Sequence, residues 1–122
     1  MTSALIVLAC LMGACGVALA AAAAHAAPGA GLDSAAYLLL FHAIAVLGAA
    51  SLSSQELLWR PLGLVAMAGF VAGGALFAGD VSMRAFAGHR LFPMAAPTGG
   101  TLLILSWLVL AAAAIVIMLR AR

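Results

Sequence analysis

Long apolar stretches alternate with short polar ones along this chain, and the polar ones are few. Four runs contain no charged residue: 1–24, 34–55, 61–79 and 91–119. Each is about as long as, or longer than, the ~20 residues a helix needs to cross ~30 Å of hydrocarbon. Helix breakers and polar residues separate them: Pro28, Gly29 and Gly31, then SLSSQELLWRP (51–61), then GHRLFPM (88–94). The pattern predicts four helices, at about 3–26, 34–52, 61–87 and 97–119, joined by short loops. The expected fold is all-α, an up-and-down four-helix bundle in a membrane, with 1–122 as a single domain.

Local signals refine the ends. Asp33 or Ser34 can cap the second helix through a side-chain oxygen, and Asp33 meets the positive end of its dipole. Ser53 or Ser54 can cap a new turn, with Glu56 and Arg60 four apart in the acid-then-base order that supports a helix. Trp59 suits the headgroup level, and Pro61 suits a first turn, where a missing N–H costs nothing. No breaker lies between Gly79 and Phe86, so the third helix is expected to run on, about 39 Å from Pro61 to Phe86. Gly88 is a natural stop. Thr98, Gly99 and Gly100 are expected to soften the first turn of the fourth helix, and Trp107 to be a packing residue inside it.

Composition makes lipid the solvent. The chain is 68% hydrophobic and 7% charged, where a soluble domain carries about 25% charged residues. Its net charge is +2 and every cation is arginine, with no clustered basic face for nucleic acid. Cys10 and Cys15 lie in the first apolar run, five apart and so on different sides of a helix; they read as two small buried thiols, not a disulfide. AAAAHAA (21–27) loosely resembles a signal-peptidase site. However, no Lys or Arg precedes the run, which is also longer than a signal core; it is expected to stay as a membrane helix. Arg60, Arg120 and Arg122 fall on the side of the termini, Arg84 and Arg90 on the other. That bias predicts cytoplasmic termini in a plasma membrane.

Specific chemistry concentrates in 76–101, LFAGDVSMRAFAGHRLFPMAAPTGGT. Asp80 and Arg84 sit four apart on one helix face, and intramembrane charges tend to mark sites; the plainer reading is a self-neutralising pair that lets the helix protrude. His42 falls near mid-helix, as a proton-relay candidate or a neutral side chain hydrogen-bonded to a neighbouring helix. Gly69 and Gly73 form a G-x-x-x-G pair that predicts a close helix contact.

Four segments carry a resemblance: GVALAAAAAHA (16–26), FHAIAV (41–46), LFAGD (76–80) and GHRLFPMAAPTGG (88–100). Together they resemble the domain of unknown function 423 family of small bacterial inner-membrane proteins, over essentially the whole chain. The last segment, with His89, Arg90, Pro93, Pro97, Gly99 and Gly100, is the specific one. The first departs from the family's usual Gly-Ala-Phe-Gly-Ala-His form, with only alanines before His25. The resemblance implies a four-helix integral membrane protein and no activity.

No Ser-His-Asp or Cys-His arrangement, phosphate loop or CxxC is present, so no enzyme and no cofactor is expected. His25, His42 and His89 have no metal-ligand spacing, so no metal is expected. The function expected is that of a non-catalytic multi-pass protein packing with copies of itself or a larger membrane complex. The alternative is a minor transport or proton-conducting role through a polar pocket of His42, Asp80 and Arg84. The expected partners are the lipid bilayer and such a protein neighbour, with no nucleic acid.

Overall fold

The computed structural model describes all 122 residues. It contains four helices: α1 Thr2–His25, α2 Leu32–Ser54, α3 Arg60–Ala87 and α4 Ala95–Arg120. All four are long and apolar enough to cross a membrane. The molecule is an all-α, up-and-down four-helix bundle, and its helices make it a multi-pass membrane protein. The 28 residues of α3 span about 42 Å, longer than the hydrocarbon they cross.

The helices form a curved row. α3 packs most extensively on α4, α1 on α2, and α2 on α3, while α1 meets α3 only along a short stretch. α4 makes no comparable pairing with α1 or α2. Two apolar clusters fill the row. Phe70, Met67 and Ala66 of α3 centre the one nearer the termini, with Val46, Ala49 and Leu103 around them. Leu32, Ala35 and Leu39 of α2 centre the other, with Met12, Ala78 and Val81. Alanine is frequent in both because lipid gives helices no hydrophobic drive to associate. Close van der Waals contact between small residues supplies it instead.

Several helix ends differ from the sequence-based expectation. α2 starts at Leu32 with Gly31 as its N-cap, and no side chain caps it. The Ser34 hydroxyl donates to Gly31 O at 2.8 Å instead of accepting a free amide. α2 also runs to Ser54, where a new turn was expected. The stop is a Schellman arrangement: Leu57 N–H donates to Leu52 O at 3.0 Å and Glu56 N–H to Ser53 O at 3.3 Å. Glu56 occupies the left-handed position, at φ 61°, that usually calls for glycine. It therefore lies outside any helix, and the expected pair with Arg60 does not form. α4 begins at Ala95, two residues early, which puts Pro97 in its first turn and Gly99 and Gly100 in regular helix.

The cysteines are a further correction. Both are exposed and unpaired. α1 is an end member of the row, so much of its circumference has no protein neighbour.

Candidate functional site

The site grows from the last turns of α3. Asp80 is 2% exposed, and a buried carboxylate must be paired or hydrogen-bonded. One oxygen, Oδ1, accepts the backbone N–H of Leu91 at 3.0 Å. The other, Oδ2, lies 3.2 Å from Nε of Arg84, one turn on, whose side chain is 44% exposed. The carboxylate thus ties the loop 88–94 to α3 and holds one edge of a guanidinium. Two left-handed residues bracket that loop: Gly88 at φ 75°, which ends α3, and Met94 at φ 70°, which precedes α4. Inside it the ring of His89 meets the Arg90 carbonyl, Nδ1 to O 3.0 Å.

Asp80, Arg84 and Arg90 line a pocket of about 560 Å³ between α3 and α4, together with Phe77, Pro97, Thr101 and Ile104. Pro93 lies in the loop beside it. Pro97 contributes its carbonyl, which accepts the Thr101 hydroxyl at 2.9 Å.

Below the pocket the two helices nearly touch. A Cβ on Gly73 would lie 2.8 Å from Gly99 O, and a Cβ on Gly99 would lie 2.7 Å from both Gly73 O and Phe77 N. Backbone faces backbone there, so only glycine fits. Gly69 sits one turn away against Ser106. The glycines of 69 and 73 are therefore α3's half of a crossing whose other half is Gly99, a residue the sequence suggested as a softener of the fourth helix and as part of the 88–100 motif. Gly100 has open space around its missing side chain.

His42 belongs to a different layer. It is 6% exposed, with Nδ1 2.7 Å from Leu38 O and Nε2 3.2 Å from the indole nitrogen of Trp107. Indole N–H only donates and a carbonyl only accepts. These partners match a tautomer with its proton on Nδ1 and its lone pair at Nε2 toward Trp107. Phe70 packs against both rings, 5.4 Å from the imidazole and edge-on to the indole at 5.0 Å. Phe70 and Asp80 are ten residues apart on α3, about 15 Å along its axis. The structure thus brings Asp80 and Arg84 together and leaves His42 with an aromatic pair elsewhere. The three do not share one pocket. Trp107 was missed as the partner of His42. The clue was present: a mid-membrane indole needs an acceptor, and a lone buried histidine needs a donor.

The pattern of the family described as "Protein of unknown function (DUF423)" matches residues 12–100. The chain belongs to that family. The DUF423 match contains His42, the Gly73–Gly99 crossing, Asp80 and the whole 88–94 loop, and ends before Trp107. No curated protein and no solved structure matches the chain.

Proposed function

We propose that this DUF423 protein is a non-catalytic component of the bacterial inner membrane, with cytoplasmic termini, that packs laterally with copies of itself or with a larger membrane complex. The observation behind this reading is the one-sidedness of α4. Only the stripe Ala95, Ala96, Gly99, Leu103, Ser106 and Ala113 is buried. On the outward side Leu108, Ala111, Ile115 and Met118 are exposed at spacings of three, four and three. That spacing suits a seam with a second helix, within a wider exposed face that includes Leu105 and Leu119. The arginine bias supports the orientation. A transport or proton-conducting route through one polar pocket is less well supported, because His42 does not line the pocket of Asp80 and Arg84.

Single-cysteine scanning of 103–118 in a Cys10→Ala, Cys15→Ala background, oxidised in native membranes, tests the reading. Cross-links peaking at 108, 111, 115 and 118 are expected, to a second copy or a larger partner. Monomer at every position would overturn it.

A further inference from the structure

We infer that the pocket between α3 and α4 binds the phosphate of an anionic phospholipid. Arg84 and Arg90 both line it, and Asp80 is the one acidic residue there. The Asp80 oxygens face Leu91 N–H and Arg84 Nε, so the negative charge of the carboxylate is offset by Arg84. Arg84 keeps its terminal N–H groups, and Arg90 has no carboxylate partner. The pocket therefore carries a surplus positive charge, with guanidinium forks whose geometry suits phosphate oxygens.

The pocket also has a direction. Arg84, Arg90 and Pro97 mark the loop end, while Phe77 and Ile104 line the other. Arg84 to Phe77 and Pro97 to Ile104 are each seven residues of helix, about 10 Å toward the membrane interior. Ile104 is exposed. A cationic rim leading down onto an apolar wall matches a headgroup phosphate followed by an acyl chain. A free phosphate ion would use only the rim.

Native mass spectrometry of the purified full-length protein, released from nanodiscs of mixed composition, tests this. Phosphatidylglycerol should be retained about tenfold over phosphatidylcholine, the gain of a charge-assisted contact left uncompensated by choline. Arg90→Gln, at an exposed residue outside the ion pair, should remove that preference while leaving the melting temperature unchanged. Arg84→Gln combined with Asp80→Asn should remove it as well. Equal retention of the two lipids, or full retention by Arg90→Gln, would overturn the inference. Displacement of phosphatidylglycerol by millimolar inorganic phosphate would overturn the lipid assignment in favour of a free-anion site.

Discussion

The backbone amide of Leu91 donates to the carboxylate of Asp80, eleven residues earlier, at 3.0 Å. This bond closes residues 80–91, the end of α3 with Gly88 and the start of the loop, into one ring.

Removing that carboxylate should loosen the loop as well as the ion pair. Asp80→Ala is expected to cost about 2–4 kcal/mol, because it orphans an amide and leaves Arg84 alone. Asp80→Asn keeps an acceptor for Leu91 and should cost about 1 kcal/mol. Arg84→Met should cost roughly 1–2 kcal/mol, discounted because the guanidinium is half in solvent. A double-mutant cycle of Asp80→Asn and Arg84→Met by denaturation in detergent should give a coupling of about 1 kcal/mol. Strictly additive losses would mean that the pair does not interact.

Adjacent glycines of α4 should behave oppositely. Gly99→Ala drives a methyl group into Gly73 O and Phe77 N, and should lower stability by about 1–3 kcal/mol through overpacking. Gly100→Ala meets open space and should gain a few tenths of a kcal/mol or more by stiffening the unfolded chain. Gly73→Leu should resemble Gly99→Ala. Equal melting temperatures for Gly99→Ala and Gly100→Ala would contradict the crossing.

Trp107→Phe keeps an aromatic edge on Phe70 but deletes the N–H that His42 accepts. A loss of about 1 kcal/mol is expected, the net worth of one hydrogen bond. His42→Phe should then make Trp107→Phe nearly silent. If the two substitutions instead add in full by thermal melting, the hydrogen bond is absent.

Glu56 holds a left-handed backbone without being glycine. Glu56→Gly should raise the melting temperature, by relief of roughly 1 kcal/mol of strain, with no change in assembly. A lower melting temperature would show that the side chain is needed there.

Topology is open to a direct check. Reporter fusions placed after Arg122 and within 28–32 should report opposite compartments, the first cytoplasmic. Matching compartments would be incompatible with four crossings.

The helices were legible because lipid demands long uncharged runs, and their approximate bounds followed from Pro and Gly. The α2 stop was not, because Glu56 makes a turn whose usual marker is glycine. The Asp80–Arg84 pair was legible from i, i+4 spacing, but its anchor was not: Leu91 contributes only an amide, which every residue except proline has. Gly99 was read as local because a crossing involves two segments, and one segment does not reveal its mate. Burial of the cysteines was misjudged for a related reason. Apolar character marks the core in water, yet in lipid it is equally a mark of the outside.

The extent of packing along the row, greatest for α3 on α4 and next for α1 on α2, suits the chain to a modular biogenesis. It is two helical hairpins joined at 55–59, and each can insert and zip up from neighbours close in sequence before the two dock. Docking then rests on α2 against α3, with the His42–Trp107 bond reaching across to α4. Two co-produced fragments, 1–56 and 57–122, should accordingly find each other in the bilayer and restore the intact arrangement without a covalent link.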